Sequence, residues 1–546
     1  MSLGFRTEQF SAQTPGQWTW MHGMNTGNQA GTWGTMGVAA AANMPPSVYE
    51  ACQWTDLQGN FWLFGGYGNG LYYNALWKFD PVIKQWAWMN GPQTGNGSGV
   101  YGVQGVAAPA NIPGARGFGM LSWTDRNGKF WLFGGLGYDA SGLTTSLGDL
   151  WKFDPVTMQW TWMSGGAVSG GVFGIQGVAA ASNVPPTTTE NHCCWVDASN
   201  NLWFYGGYSG SAAGVSDNMW KYDIGNGMWT WMNGSGPSST SSTAYGPIGV
   251  EGASFHPGSR TGYTSFTDPA GKMFLFGATN STSGYSNDAW KYDPSTNQWA
   301  WVGGSQNPND PGAQIAKCTN TSVNLPQAAM EIRASWADSC GFWFFGGYYQ
   351  NASQDNLWYY NEYTMEFTWL SGTNIPDAPG NFGTLGVCAP TNSPPSRNGA
   401  VTWLDNTGHL WLFGGELDFG MSTTYNDLWM YTPDEACARS CTKTSHPPVV
   451  IVDCEKILIP NVFSPNGDLK NDEFQVHAEC LSSYRILIYD RWGVKVFEST
   501  DILNPWNGKK NNTGALCSDG TYYYIIDYAN QQLIWKNKKG FLTLLR

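Results

Sequence analysis

A triplet of one aromatic residue followed by two glycines, or a close variant of it, recurs six times in this chain. The intervals between successive copies are 68 to 72 residues, and the copies begin at Phe64, Phe133, Tyr205, Phe276, Phe345 and Phe413. A fixed period of this length indicates a repeat architecture in which each repeat is one structural unit that packs against its neighbours.

Each repeat contains four short apolar segments, which we interpret as strands. In the first repeat they end at Trp54-x-Asp56, run into Gly65-Gly66, carry Leu76–Phe79, and alternate over Gln85–Met89. Seventy glycines and 31 tryptophans in 546 residues, with only 12% charged residues, favour short strands joined by tight turns and argue against a coiled coil or a disordered chain. The fold class predicted is therefore all-β.

Six four-stranded repeats predict a six-bladed β-propeller. The sixth repeat lacks a fourth strand and ends near Pro433, whereas an isolated copy of that strand, Gln17–Met21, precedes the first repeat. We expect this N-terminal strand to complete the sixth blade and close the ring, which removes an open sheet edge. The glycine pairs and blade aromatics resemble the kelch family of galactose-oxidase-like propellers over residues 16–434.

The connections inside a repeat differ in length. Those from strand 4 to the next strand 1 have about 25 residues, as in Asn90–Ala115, and those from strand 2 to strand 3 are intermediate, as in Leu136–Asp149. In an antiparallel sheet these two connections emerge on the same side. We call that side the elaborated face and the opposite side, with its short turns, the trimmed face. The elaborated face is the predicted binding surface.

Charged residues precede the first strands of the repeats. If strand 1 is innermost, these side chains surround the mouth of the channel and could hold a carboxylate. The alternative is that the arginines tie loops together by hydrogen bonds. The candidate ligand-binding residues are Arg116, Arg260, Arg333, Arg397, Glu50 and Glu190, with Trp33 as a candidate for stacking on a sugar.

Catalytic motifs are sparse. The six histidines form no H-E-x-x-H pattern, and no catalytic residues are predicted, so the sequence favours a non-enzymatic role. A copper site like that of galactose oxidase would need His and Tyr ligands, and His192 with Cys193 keep this alternative open. The adjacent Cys193 and Cys194 could form a vicinal disulfide or remain buried thiols. A net charge of −13 argues against nucleic acid and anionic membranes as partners, and no apolar run is long enough for a transmembrane segment.

The composition changes after the repeats. Residues 435–455 form a predicted Cys/Pro linker, and residues 456–546 contain short alternating strands typical of a small Ig-like β-sandwich. Residues 1–15 are interpreted as a leader remnant or a tail, because Phe10–Gln13 is similar to the end of a signal-peptide cleavage site.

Several motifs of residues 456–546 closely resemble the gliding-motility-associated C-terminal domain, the type B sorting domain of type IX secretion. They are Pro460–Asp468, Asn471–Phe474, Ile488–Gly493, Trp506–Gly508 and Asp519–Tyr524. The resemblance implies recognition by the type IX secretion machinery and export to the surface or medium of a Bacteroidota-type cell. It also implies a Cys480–Cys517 disulfide.

One polar cluster in this domain could bind Ca²⁺, although a plain structured turn is the alternative. The family usually has Gly where Leu469 stands. The predicted calcium ligands are Asn466, Asp468, Asn471 and Asp472. No other cofactor is expected.

The sequence thus predicts an exported protein whose propeller is a non-catalytic module that binds a glycan or a surface protein. A carbohydrate-active enzyme, such as a sugar oxidase or a sialic-acid isomerase, and a structural surface-layer component are the alternatives. Because fold resemblance alone does not assign a function, the ligand has to be argued from the site.

Overall fold

The structure, a computed structural model, describes residues 13–546 except 167–170, 210–213, 238–240, 269, 281–283, 320–321, 419, 421, 439–456, 468–470, 479–480, 503 and 531–534. It is all-β, as predicted. The chain separates into two compact units, one ending at Cys441 and the other beginning at Thr442. Within the described part of the chain, no helix has the length and apolar character needed to cross a membrane.

The N-terminal unit contains six four-stranded antiparallel sheets, one for each sequence repeat. We number the sheets in chain order and the strands within each from first to fourth. Sheet 1 comprises Cys52–Thr55, Phe61–Phe64, Leu76–Asp80 and Gln85–Asn90; sheet 2 comprises Leu121–Thr124, Phe130–Phe133, Leu150–Asp154 and Gln159–Ser164; sheet 3 comprises Cys194–Val196, Leu202–Tyr205, Met219–Asp223 and Met228–Asn233. Sheet 4 comprises Thr264–Thr267, Met273–Asn280, Gly284–Asp293 and Gln298–Gly303; sheet 5 comprises Ala334–Ala337, Gly341–Phe345, Leu357–Asn361 and Glu366–Ser371.

Sheet 6 is assembled from both ends of the repeat region. Its first three strands are Val401–Leu404, Leu410–Phe413 and Leu428–Thr432, and its fourth strand is Gln17–His22. Gln17 pairs with Thr432, and Trp20 pairs with Trp429. The prediction that the N-terminal strand completes the sixth sheet is confirmed.

Aromatic side chains fill the space between neighbouring sheets. The first strand of each sheet contacts the first strand of the next, and the first strand of sheet 6 contacts that of sheet 1. The Trp54 indole Nε1 of sheet 1 donates a hydrogen bond of 3.2 Å to the carbonyl of Trp131 in sheet 2, and Trp403 of sheet 6 donates one of 3.0 Å to the carbonyl of Trp54. The repeated tryptophans therefore both pack and hydrogen-bond across sheet boundaries.

The long connections run along the outer edges of the sheets. In sheet 2, the Gly105 amide donates to the carbonyl of Trp162 on the fourth strand, and the Asn111 side-chain amide donates to the carbonyl of Trp160. Equivalent glycine-to-tryptophan bonds occur in sheets 1, 3, 4 and 6, from Gly37, Gly177, Gly249 and Gly386. The connections thus satisfy backbone groups of fourth strands that would otherwise be open edges.

Short strands decorate the connections between second and third strands. They are Tyr67–Gly68 with Leu71–Tyr72, Leu136–Tyr138 with Thr144–Ser146, Tyr208–Ser209 with Gly214–Val215, and Tyr348–Tyr349 with Ala352–Ser353. Arg116–Gly117, which precedes the first strand of sheet 2, also pairs with Leu136–Tyr138. A one-turn helix, Glu435–Ala438, follows sheet 6, and the Cys318–Cys437 disulfide joins it to the connection that precedes sheet 5.

The C-terminal unit contains a five-stranded sheet. Its strands in spatial order are Val462–Phe463, Trp535–Leu544, Gly520–Asn530, Leu481–Tyr489 and Lys495–Ser499, of which the first pair is parallel. Ile457–Leu458 pairs with His477–Ala478, and residues 510–512 form a 3₁₀ turn. Phe463, Phe474, Ile488 and Trp506 are buried in its core.

Candidate functional site

Six small or polar side chains face a common cavity in the N-terminal unit. Each belongs to the residue that directly precedes the aromatic residue repeated in every first strand, and the cavity has a volume of about 430 Å³. The six residues are Gln53, Ser122, Cys194, Ser265, Ser335 and Thr402. The first strands therefore supply a mainly polar lining that can accept a hydrated ligand.

A cluster of buried charged groups lies at one end of this cavity, where the connections from the elaborated face enter the first strands. His192 and Arg333 line the cavity itself. The Arg333 Nη1 is 3.5 Å from Glu50 Oε2, and the His192 Nε2 is 3.9 Å from Glu50 Oε2 and 3.6 Å from Glu331 Oε2. We call Glu50, Glu190, His192, Glu331 and Arg333 the axial cluster.

The three glutamates of the axial cluster have left-handed backbone conformations. Their φ angles are 52° at Glu50, 49° at Glu190 and 55° at Glu331, a region that non-glycine residues seldom occupy. Gly262 and Gly399 occupy the equivalent positions in sheets 4 and 6 and also have positive φ. Unusual backbone of this kind costs free energy and is concentrated at functional sites.

Backbone hydrogen bonds link these left-handed positions from sheet to sheet. The amide of Glu331 donates to the carbonyl of Gly262 at 2.7 Å, and that of Glu50 donates to the carbonyl of Gly399 at 2.8 Å. The amides of Glu190, Gly262 and Gly399 make the corresponding bonds to Phe118, Glu190 and Glu331. The three glutamate side chains are thus held by rigid backbone.

Burial dominates the electrostatics of the cluster. It raises the pKa of Glu190 and of Glu331 well above the ordinary value, and the neighbouring carboxylate of Glu50 adds to both shifts. Burial, with a further contribution from the Arg333 charge, lowers the pKa of His192 well below its ordinary value, so the imidazole is neutral at pH 7. Glu50 Oε2 accepts a hydrogen bond of 2.5 Å from the amide of Gly119.

The structure brings together three of the predicted ligand-binding residues, Glu50, Glu190 and Arg333, and places the other three arginines elsewhere. Arg116 forms a two-bond ion pair with Asp149 at 2.6 and 2.8 Å, and both side chains are fully buried. Arg260 pairs with Asp288, and Arg397 pairs with Asp427, in the same way. These contacts favour the alternative interpretation, in which the arginines tie connections to the sheets.

Trp33 also has a packing environment. Its ring centroid lies 4.9 Å from that of Trp77 and 5.6 Å from that of Trp88 in sheet 1. Tyr101, Phe173, Tyr245 and Phe382 make equivalent contacts on sheets 2, 3, 4 and 6. Trp33 therefore belongs to a repeated packing position, and its contacts favour a structural role over the predicted sugar contact.

A half-buried aromatic group lies on the elaborated face instead. The Tyr67 ring is 4.9 Å from that of Tyr72 and 5.4 Å from that of Phe118, and Tyr72 is 6.1 Å from Tyr138. Phe118 also contacts Tyr49, which directly precedes Glu50 of the axial cluster. We call Tyr67, Tyr72, Phe118 and Tyr138 the aromatic platform.

The remaining predicted sites lie in the C-terminal unit. Asp468 is outside the described residues; the Gly467 amide donates to Asp472 Oδ1 at 2.7 Å, and Asn471 has a left-handed φ of 54°. These features are those of a turn, and calcium binding by Asn466, Asp468, Asn471 and Asp472 stays a prediction. Cys480 lies outside the described residues, so the Cys480–Cys517 bridge stays a prediction.

Sequence reasoning did not identify two members of the axial cluster. The sequence suggests His192 only as part of a copper site with Cys193, but the Cys193 Sγ contacts Met273 Sδ at 3.3 Å, and both Cys193 and Cys194 are free thiols. Glu331, two residues before Arg333, is not among the predicted site residues. The signal was present: a glutamate occurs at one aligned position in repeats 1, 3 and 5.

Comparison with known proteins assigns the C-terminal unit. Residues 457–544 match the family model described as the CHU_C type IX secretion signal domain. The chain matches no curated protein. The C-terminal match identifies a type IX secretion signal and supports an exported protein of a Bacteroidota-type cell.

Proposed function

We propose that the N-terminal unit is a closed six-bladed propeller of the kelch type that binds a glycan outside the cell without catalysing a reaction. The cyclic contacts of the six first strands and the completion of sheet 6 by residues 17–22 support ring closure. On this proposal the propeller spans residues 16–434, a linker spans 435–455 and the secretion domain spans 456–546.

The aromatic platform carries the assignment of a glycan. Half-buried tyrosine rings offer apolar faces on which sugar rings can stack, and their hydroxyl groups can hydrogen-bond to sugar hydroxyls. The neighbouring axial cluster adds buried carboxylates that can accept hydrogen bonds from the same ligand. The platform is formed by connections of sheets 1 and 2, which lie on the elaborated face.

A glycan array probed with the full chain tests this function. We expect saturable binding to one class of glycan and at least about a tenfold loss of affinity in the Tyr67→Ala/Tyr72→Ala variant, since each stacked ring contributes about 1 kcal/mol. Tyr363→Ala is the matched control, because Tyr363 is 67% exposed on a short turn of the trimmed face. Binding to no glycan, or equal loss in the control, would contradict the proposal and favour a protein partner or a surface-layer role.

Recognition by the type IX machinery is tested separately in a host that has this system. Deleting residues 457–544 should retain the protein inside the cell, whereas a reporter that carries residues 442–546 should be exported. Normal surface display of the truncated chain would refute the role of this domain in export.

A carbohydrate-active enzyme is the second candidate, and the axial cluster favours it. Buried glutamates with raised pKa values beside an arginine are typical of sites that transfer protons. Turnover of a bound glycan that is lost in Glu331→Gln, with binding retained, would establish the enzyme in place of the binding module.

A further inference from the structure

Three side chains of the axial cluster present metal-ligating atoms to one point. One carboxylate oxygen of Glu50, one of Glu331 and a ring nitrogen of His192 all lie within 4.8 Å of one another. The His192 Nε2 is 3.6 Å from Glu331 Oε2 and 3.9 Å from Glu50 Oε2. Such separations are close to those between ligand atoms that share one ion at about 2 Å from each.

The imidazole nitrogens of His192 are buried and unsatisfied by the part of the chain that the structure describes. Its side chain is only 6% exposed, yet neither ring nitrogen makes a hydrogen bond among the described residues. Glu331 Oε2, toward which the ring points, is also without a hydrogen-bond partner. Buried polar atoms without hydrogen bonds destabilise the folded state, so a ligand that engages both atoms would remove this penalty.

The cluster contains more carboxyl groups than cationic groups. Glu50, Glu190 and Glu331 contribute three carboxyl groups, and Arg333 is the one cation placed among them in the described structure. A cation bound at this point would favour the ionised form of its ligands and offset the cost of burying their charge.

We propose that Glu50, His192 and Glu331 bind a divalent transition-metal ion of the Zn²⁺ class. One imidazole nitrogen with two carboxylate oxygens is a donor set for such borderline ions, whereas Ca²⁺ and Mg²⁺ prefer oxygen alone. Three protein ligands leave a coordination position free, and His192 borders the polar cavity from which a further ligand can approach. This site does not depend on glycan binding by the aromatic platform.

The test uses the purified full chain, stripped with a chelator and titrated with Zn²⁺ by calorimetry and with Co²⁺ by absorption spectroscopy. We expect one tight site per chain, with visible Co²⁺ bands and no thiolate charge-transfer band in the near ultraviolet. Glu331→Gln and His192→Phe should each weaken Zn²⁺ binding at least about 100-fold, since even residues that only support metal ligands contribute 10- to 100-fold.

Matched controls are Glu362→Gln and His256→Phe, which change the same residue types elsewhere in the N-terminal unit and should leave affinity unchanged. Near-ultraviolet circular dichroism verifies that each variant is folded, and if one variant does not fold the other decides. Absence of saturable Zn²⁺ binding, unchanged affinity in a folded variant, or a thiolate band from Cys194 at the cavity wall would each overturn the proposal.

Discussion

Sheets 2, 4 and 6 differ from sheets 1, 3 and 5 at two linked positions. The even-numbered sheets have Arg116, Arg260 and Arg397 two residues before the left-handed position, and each arginine is paired with an aspartate that stands two residues before the tryptophan of the third strand. At the arginine position the odd-numbered sheets have Val48, Thr188 and Ala329, and at the left-handed position itself they have the glutamates of the axial cluster.

The difference shows how one repeated scaffold separates stability from function. In the even-numbered sheets a buried charge is neutralised within the same sheet, so it fixes the connection and leaves nothing for a ligand. In the odd-numbered sheets Ala75, Asn218 and Asn356 replace the aspartates, and the charged groups instead meet one another near the cavity. The even-numbered sheets thus stabilise the fold with buried Arg–Asp pairs, and the odd-numbered sheets supply the charged residues of the axial cluster.

Breaking an even-numbered pair should have the largest effect. Arg116→Met leaves the Asp149 carboxylate buried without its cation, and we expect the free energy of unfolding to fall by about 3–5 kcal/mol. Chemical denaturation measures this loss. Adding Asp149→Asn should recover most of it, and the exposed Arg126→Met should change stability by less than about 0.5 kcal/mol. A loss below about 1 kcal/mol in Arg116→Met would contradict the structural role.

The glycines at the left-handed position of sheets 4 and 6 should resist substitution, whereas sheet 2 has Phe118 at this position. Gly399 has a φ of +63°, and a Cβ there would lie 2.9 Å from Cδ2 of Tyr49. We expect Gly399→Ala to lower stability by about 2 kcal/mol, measured by thermal unfolding. Gly70→Ala is the control, since its φ is also positive but a Cβ would meet nothing within 4 Å. Equal losses in both variants would show that backbone strain alone decides.

Placing glycine at the left-handed position of an odd-numbered sheet should instead raise the stability of the protein. Glu190→Gly relieves a left-handed glutamate and removes a buried carboxylate, and we expect a gain of about 1 kcal/mol in the metal-free protein after allowing for the entropy of the unfolded glycine. Thermal unfolding of the chelator-treated variant provides the measurement. A destabilised Glu190→Gly protein would show that this side chain contributes to the fold.

The smallest expected effect concerns acids of sheets 5 and 6 that are not part of the axial cluster. Burial, with Asp268 and Asp338 nearby, raises the pKa of Glu362 to about 7. A raised carboxyl pKa means that the folded state binds more protons than the unfolded state between pH 4.5 and 7, so stability falls as pH rises through this range. Glu362→Gln should therefore stabilise the protein relative to wild type at pH 7.5 and not at pH 4.

Asp405 in sheet 6 provides the control for the sign. Burial opposes its ionisation, but hydrogen bonds from His409, Thr407 and Trp411 outweigh this effect and lower its pKa to about 2. Its contribution is present above pH 3.8 and is lost as the pH falls toward 2. The Asp405→Asn variant should accordingly be less stable than wild type at pH 7 and approach it in strong acid; parallel pH profiles for both variants would contradict the assignment.

Most of the all-β architecture could be predicted from the sequence because the pattern is periodic. The Gln17–Trp20 segment repeats the spacing of the fourth strands, so its pairing with Leu428–Thr432 followed from counting strands. The structural role of the long connections could not be predicted from the length of the repeat. Their length indicated ligand binding. In the structure, Gly105 and Asn111, which lie in one of these connections, hydrogen-bond to the fourth strand of sheet 2 and cover its edge. Only the recurrence of Gly and Asn at fixed positions pointed to that role.

The axial cluster was harder to predict because it depends on backbone conformation. Glu50, Glu190 and Arg333 were selected by proximity to the first strands, but the same rule selected Arg116, whose side chain turns toward Asp149. Sequence spacing does not give the direction of a side chain beside a left-handed residue. The partner aspartates were the missing signal, since they occur only in the repeats whose arginines are internally paired.

The N-terminal strand of sheet 6 imposes an order on biosynthesis. Trp20 pairs with Trp429, more than 400 residues later, so a ribosome must deliver nearly the whole repeat region before residues 17–22 have their partner. Until then the backbone groups of this strand are unpaired, and closing so long a loop carries an entropic cost that local hairpins do not. Among the strands of the repeat region, residues 17–22 are therefore the earliest to be synthesised and among the last to be placed.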